Sequence, residues 1–149
     1  MAADVGKPVI LHCRVAHDDL LKIIENHRIA KIMSPPGVIH SYTGSIEHAR
    51  KFIEMGYYLG FNGIIFKTIS TINFDEIIRF VPLERMVLET DSPYLTPPQV
   101  KEGEKQGEFV RNEPLNVRYV AERIAQLKGV SCEEVAEVTN KNARMVFRL

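Results

Sequence analysis

The sequence of 149 residues contains little cysteine, and its cysteines do not form a recognisable motif. Cys13 and Cys132 are the only two, and neither belongs to a CxxC pair or another spacing typical of metal ligands. A disulfide scaffold is therefore disfavoured. We interpret both residues as free thiols in a protein from a reducing compartment.

Net charge is also absent, because 19 Lys and Arg balance 19 Asp and Glu. Broad electrostatic binding to nucleic acid, independent of sequence, needs many cations that neutralise many phosphates, so it is disfavoured here, although a small local phosphate site stays open. Long apolar runs are missing as well, so we expect no secretory signal and no membrane span, and we predict a cytoplasmic location. What is present, 45% hydrophobic and 26% charged residues, is typical of a globular protein.

Short apolar runs alternate with amphipathic segments along the chain. The runs at 8–13, 38–41, 57–61 and 86–89 have the character of strands buried on both faces of a parallel sheet. The segments at 16–27, 45–56, 73–80, 114–129 and 131–146 have apolar residues at helical spacing. This alternation predicts an α/β fold with about four parallel strands. Four strands are half of a (β/α)8 barrel, which usually needs about 250 residues, so the barrel is predicted to be partial.

Three residues that can bind a metal ion stand at the C-terminal ends of predicted strands: His12, His40 and Asp91. In a parallel barrel these ends lie on one face, where active sites are assembled. Two imidazoles with a carboxylate are a normal ligand set for Zn²⁺ or a similar ion, which can polarise a phosphoryl oxygen. Each residue also has an ordinary interpretation, as a hydrogen-bonded structural histidine or as an Asx turn before Ser92 and Pro93.

Four segments occur in an order that resembles the TatD family of metal-dependent deoxyribonucleases, and the resemblance extends from about Lys7 to Leu149. The segments are Leu11–Arg14 (LHCR), His40–Ser45 (HSYTGS), Glu89–Leu95 (ETDSPYL) and Arg111–Pro114 (RNEP). The resemblance implies a TIM barrel of the amidohydrolase type. It also implies hydrolysis of phosphodiester bonds in DNA with two divalent ions, Mg²⁺, Mn²⁺ or Zn²⁺.

The resemblance further implies a role for each residue at the strand ends. His12 and His40 are expected to be ligands of one ion. Asp91 is expected to be a ligand of the other ion and the catalytic residue that orients or deprotonates the attacking water. A pair of ions clamps both the attacking and the leaving oxygen, and a carboxylate beside them can take the proton.

Other residues of these segments are predicted to contact the substrate or to support the ligands. Arg14 is expected to bind a phosphate, with an ion pair to Glu89 or Glu113 as the alternative. Tyr42 and Tyr94 can stack on a base, with packing at the barrel rim as the alternative. Glu89 can accept a hydrogen bond from a ligand histidine, with a structural ion pair as the alternative.

Two further predictions concern residues outside the ligand set. The segment 111–114 is expected to fix the long loop between Pro93 and Pro114 to the end of the barrel. His17, His27 and His48 fall on predicted helices and are expected to be surface or packing residues.

Two features of the family cannot be placed in this sequence. It contains no His-x-His pair, and no strand corresponds to the one that supplies a Glu bridging the two ions. The resemblance begins at the family's fifth strand, so we expect one incomplete TatD-like domain over residues 1–149, with its N-terminal half missing. Such a half-barrel would have weak or no activity alone, and its exposed edges would favour self-association. Two alternatives stay open: a non-catalytic half-barrel that dimerises or binds a partner, and a metallohydrolase for an ester such as D-aminoacyl-tRNA.

Overall fold

A computed structural model of the chain describes residues 2–27, 35–101 and 109–149, and within them strands alternate with helices as the apolar pattern predicts. The strands are β1 (Val9–His12), β2 (Gly37–His40), β3 (Tyr58–Phe61) and β4 (Met86–Leu88). The α-helices are α1 (His17–His27), α2 (Ile46–Glu54), α3 (Phe74–Phe80), α4 (Val117–Lys128) and α5 (Cys132–Phe147). Short 3₁₀ helices occur at Ala3–Val5, Gly63–Phe66, Leu83–Arg85, Pro98–Lys101 and Pro114–Asn116.

The four described strands form one parallel sheet in the order β1, β2, β3, β4. Val9 lies opposite Gly37 and His12 lies opposite His40, so the first two strands end at the same level. The predicted parallel sheet is confirmed. Because all the strands run the same way, their C-terminal ends lie along a single edge of the sheet.

The two faces of the sheet differ in what covers them. The outer face packs its fully buried side chains, such as Ile39, Leu59 and Met86, against the helices. The inner face carries Val38, Tyr58 and Val87, which pack with Val146 of α5 in a separate cluster. Since side chains alternate between faces with a period of two, the next inner positions toward the strand ends are His12, His40 and Gly60. The inner face therefore changes from apolar to polar along the strands.

The first strand lies at the edge of the described sheet, and one of its faces is open. Ile10 on the inner face is 62% exposed, whereas Val9 and Leu11 are half-buried. The prediction that this strand is buried on both faces is therefore wrong for the described residues. The physical reason is that Ile10 lies outside the apolar cluster in which Val146 packs over Val38, Tyr58 and Val87 on the inner face.

The helix ends follow the capping residues that the sequence indicates. Ser45 accepts a hydrogen bond from the His48 backbone N–H at the start of α2. The Ser131 Oγ accepts one from the Glu134 backbone N–H at the start of α5. The predicted helix after Pro114 begins with a 3₁₀ turn, and its α-helical part starts at Val117. Residues 102–108 of the predicted loop lie outside the described residues, and no described helix is long and apolar enough to cross a membrane.

Candidate metal centre

The three predicted metal-binding residues meet at the C-terminal edge of the sheet. His12 and His40 are the last residues of β1 and β2, and their ring centroids are 5.6 Å apart. Asp91 follows β4, and its Oδ1 lies 3.3 Å from His40 Nε2. All three border a cavity of about 780 Å³, which also contains Arg14 and Tyr94 in its wall. The structure therefore brings together residues that are up to 79 positions apart, Asp91 and His12.

Glu89 fixes the orientation of the His40 ring. The His40 Nδ1 donates a hydrogen bond to Glu89 Oε2 at 2.9 Å, and the Ser41 backbone N–H donates to the same oxygen at 3.0 Å. The hydrogen bond to Glu89 is the largest of the effects that raise the pKa of His40, and Asp91 contributes to the same shift. A carboxylate behind a ligand histidine is the usual arrangement at metal sites, because it orients the ring and makes the other nitrogen a better ligand.

The second ring nitrogen of His40, Nε2, shows why a cation suits this position. With the Nδ1 proton engaged by Glu89, the Nε2 lone pair faces the Asp91 carboxylate, so two acceptors point at each other unless a proton or a cation lies between them. Their separation of 3.3 Å also matches two ligands of one tetrahedral ion, which are about 3.4 Å apart when each bond is about 2.1 Å. The donor types and spacing therefore fit a divalent ion.

The number of ligand side chains is smaller than a closed metal site needs. Within residues 2–27, 35–101 and 109–149, no group of three or more His, Cys, Asp and Glu side chains is already gathered around one point. His40 and Asp91 are close together, and His12 is the next candidate at the same edge. The described residues thus fit a metal ion by chemistry and supply only part of its coordination sphere.

Gly60 leaves the space that the Glu89 carboxylate occupies. A Cβ atom at Gly60 would overlap Glu89 Oε1 and would lie 2.8 Å from Oε2, the oxygen that holds His40 and Ser41. Gly60 lies inside β3, within the run 57–61 that predicts a strand. A signal was present, because a glycine within an apolar strand often marks the close approach of another group.

Asn112 holds the segment that carries Asp91 and Tyr94. Its side chain is 2% exposed, and its Nδ2 donates to the backbone oxygens of Thr90 at 2.8 Å and Tyr94 at 2.7 Å. Its Oδ1 accepts from the Glu113 backbone N–H and from Asn116 Nδ2. The prediction that segment 111–114 fixes the loop to the end of the sheet is confirmed for Asn112.

Strained backbone borders the same cavity. Four non-glycine residues in its wall have a positive φ: Val15 (56°), Ser41 (50°), Asp91 (59°) and Leu95 (53°). Such conformations cost free energy, and they cluster at functional sites where the surrounding structure enforces them. Ser41 directly follows a candidate ligand, and Asp91 is one. The strain therefore coincides with the candidate metal centre.

The predicted substrate-binding residues have different outcomes. Arg14 is exposed at the cavity and has no ion pair with the described residues, so the alternative pairing with Glu89 or Glu113 is not observed. Tyr42 is fully buried, and its hydroxyl donates to the Ser45 backbone oxygen at 2.5 Å. The prediction that Tyr42 contacts substrate is therefore wrong, because the ring packs inward beneath Gly44.

Two of the three helical histidines, His17 and His48, lie in the wall of the same cavity and pack against each other. His17 is 6% exposed, and its ring stacks on His48 with centroids 5.2 Å apart. His48 Nε2 forms a hydrogen bond with Asp18 Oδ1 at 3.1 Å. His27 Nδ1 donates a hydrogen bond to the backbone oxygen of Ile23 in its own helix. These contacts confirm the prediction of surface and packing roles.

Comparisons with known proteins agree with the geometry. A protein-family model described as TatD related DNase matches residues 1–148. The chain is 37% identical over 150 residues to an uncharacterized metal-dependent hydrolase, YabD, of Bacillus subtilis, covering 100% of this chain and 54% of that protein. It is 37% identical over 162 residues to a deoxyribonuclease, Tat-D, of Schizosaccharomyces pombe, covering 96% of this chain and 50% of that one. The crystal structure of YjjV, a TatD homologue from Escherichia coli K12, matches with a TM-score of 0.82 at 28% identity, over 99% of this chain and 52% of that chain.

The structural match confirms the predicted fold class, four parallel strands of the TIM-barrel amidohydrolase type. The chain spans about half the length of the curated relatives that it matches. The family match runs over residues 1–148, and it does not support the prediction that an N-terminal half is missing.

Proposed function

The chain belongs to the TatD-related DNase family, and from this premise we propose that residues 1–149 form one TatD-like metallohydrolase domain that acts on phosphodiester bonds of DNA. The observation that carries the proposal is the pairing of His40 with Asp91 at 3.3 Å, with Glu89 behind the ring. Relatives named as a metal-dependent hydrolase and as a deoxyribonuclease support the same reaction class.

Each residue has a defined task in the proposed reaction. His12 and His40 would hold a divalent ion through ring nitrogens, and Glu89 keeps the His40 ring in the orientation that this needs. Asp91 Oδ1, 3.3 Å from His40 Nε2, would share this ion, whereas the resemblance implied that Asp91 binds the other one. When bound, the ion, Mg²⁺, Mn²⁺ or Zn²⁺, would act as a Lewis acid that polarises a phosphoryl oxygen. Asp91 orients the attacking water and takes its proton. Arg14, exposed at the cavity, neutralises a neighbouring phosphate with its planar guanidinium group.

The ligand count limits the activity expected of the chain alone. A two-ion clamp needs more donors than His12, His40 and Asp91 provide. We therefore expect one weakly bound ion and slow turnover. Among the described strands β1 pairs only with β2, and its Ile10 is 62% exposed, which supports self-association at this side of the sheet. A cytoplasmic location is supported by the two free cysteines.

Hydrolysis of a labelled single-stranded DNA oligonucleotide tests the proposed function. We expect cleavage with Mn²⁺ or Mg²⁺ that stops with EDTA, and Asp91→Asn should lower the rate by about 100-fold or more because the proton acceptor is lost. The matched control is Asp19→Asn, which removes an exposed carboxylate from α1 outside the cavity. Equal rates for wild type and Asp91→Asn would contradict the proposal. Cleavage of an aminoacyl ester in place of DNA would overturn the assigned substrate.

A further inference from the structure

Two aromatic side chains stand exposed beside the candidate metal centre. Tyr94 is 61% exposed and Phe109 is 68% exposed, while every other tyrosine and phenylalanine of the described residues is buried or half-buried. Their ring centroids are 6.5 Å apart with an interplanar angle of 64°. In this edge-to-face arrangement the edge of one ring lies against only one face of the other, so a flat face is left open to a ligand.

The backbone beneath this aromatic pair is held in place by hydrogen bonds. The Tyr94 N–H donates to the Asp91 backbone oxygen at 2.9 Å, and the Tyr94 oxygen accepts from Asn112 Nδ2 at 2.7 Å. Next to Phe109, the Val110 oxygen accepts from Thr96 Oγ1 at 2.5 Å. A rigid aromatic surface loses little conformational entropy when it binds a ligand.

The position of the pair indicates the kind of ligand. Tyr94 borders the same cavity of about 780 Å³ as His40 and Asp91, and two cationic side chains, Arg14 and Lys67, border it as well. Cations neutralise phosphates, and an open aromatic face stacks on a nucleobase. The cavity thus presents a surface for a base and charges for phosphates beside the candidate centre for hydrolysis.

We propose that Tyr94 and Phe109 form a stacking platform for an unpaired nucleobase next to the phosphate to be cleaved, an inference that rests on the proposed function. A base inside a duplex has both faces covered by its neighbours, so the platform acts on single-stranded nucleic acid. It tolerates any base, because every base has a π face.

Binding of a fluorescently labelled oligothymidylate to the full chain tests the platform. The measurements use the Asp91→Asn protein as the background, because this substitution limits cleavage of the oligonucleotide while Mn²⁺ is kept in the solution. Tyr94→Ala and Phe109→Ala should each raise Kd by about 5- to 150-fold, the range expected for one base–aromatic stack. Tyr94→Phe keeps the ring and should bind as the background protein does. The matched control is Leu115→Ala, which shortens a side chain that is 70% exposed outside the cavity.

An abasic oligonucleotide separates stacking from a general loss of structure. Removing the base at one position should weaken binding to the background protein as much as Tyr94→Ala does, and it should have no further effect on the Tyr94→Ala protein. Three results would overturn the platform. The abasic site and Tyr94→Ala could act independently, the Kd values of the alanine variants could stay within twofold of the background protein, or no oligonucleotide could bind. Metal-dependent cleavage with no effect of Tyr94→Ala would remove the platform and leave the proposed function intact. Stacking without cleavage by the wild-type chain would overturn the proposed function and leave the platform intact.

Discussion

Gly60→Ala tests how the sheet positions the candidate metal ligand His40 without altering His40 itself. The added methyl group would overlap Glu89 Oε1 and lie 2.8 Å from Oε2, where ordinary contacts begin at about 3.4 Å. The backbone of β3 is fixed by pairing with β2 and β4, so the carboxylate has to retreat instead. A retreat of about 1 Å is enough to break hydrogen bonds that are now 2.9 Å and 3.0 Å long.

The loss of these two hydrogen bonds sets the size of the expected effect. His40 would lose the acceptor that orients its ring, and removing such a partner typically costs 10- to 100-fold in metal affinity, or about 1.4 to 2.7 kcal/mol. The Ser41 N–H, in a residue with φ of 50°, would lose its partner as well. We therefore also expect the free energy of unfolding to fall by about 1 to 3 kcal/mol.

Isothermal titration with Mn²⁺ measures the affinity, and a double-mutant cycle identifies the cause. In a Glu89→Ala background the added methyl group meets no carboxylate, so Gly60→Ala should change the Mn²⁺ affinity by less than about twofold. The explanation fails if Gly60→Ala binds Mn²⁺ as tightly as wild type. It fails equally if the cost of Gly60→Ala persists in full without the Glu89 carboxylate.

Two further predictions concern residues around the site. Asn112→Ala removes the side-chain hydrogen bonds to Thr90, Tyr94, Glu113 and Asn116, so urea unfolding should show a loss of about 2 to 4 kcal/mol; a loss below about 0.5 kcal/mol would contradict the role of Asn112 as a clamp. For His17, burial is the largest of the effects that lower its pKa, and repulsion from His48 adds to it, while Asp18 opposes it. The unfolded chain therefore takes up this proton near pH 6.5 and the folded chain only at lower pH, so stability falls as the pH drops through that window. His17→Phe should lose less stability than wild type between pH 7 and pH 5 in urea unfolding, and an equal loss would show that His17 does not contribute.

The strands and the candidate ligands could be predicted from local patterns. Continuous apolar runs of four to six residues between helical segments indicate buried parallel strands, and a histidine that ends such a run lies at the catalytic edge of the sheet. His12, His40 and Asp91 follow such runs, and the structure places all three at that edge. Local sequence is sufficient here because strand polarity alone decides where a terminal side chain lies.

The environment of individual side chains could not be predicted in the same way. Tyr42 is two residues after His40, yet it packs inward, because Gly44 leaves room for its ring. The exposure of Ile10 depends on what packs over the inner face of β1, which the apolar run itself does not encode. Phe109 meets Tyr94 across 15 positions, through a loop closure that Asn112 and Thr96 enforce. Each of these outcomes depends on contacts between distant residues.

An anomalous difference map from crystals soaked in Mn²⁺ would locate the ion itself. We predict a peak at the C-terminal edge of the sheet, within about 2.5 Å of both His40 Nε2 and Asp91 Oδ1, with the His12 ring as the next side chain. The same soak of His40→Ala crystals should show no peak at this position. A wild-type map without a peak there, or with manganese bound only elsewhere, would contradict the assignment of these strand ends as a metal centre.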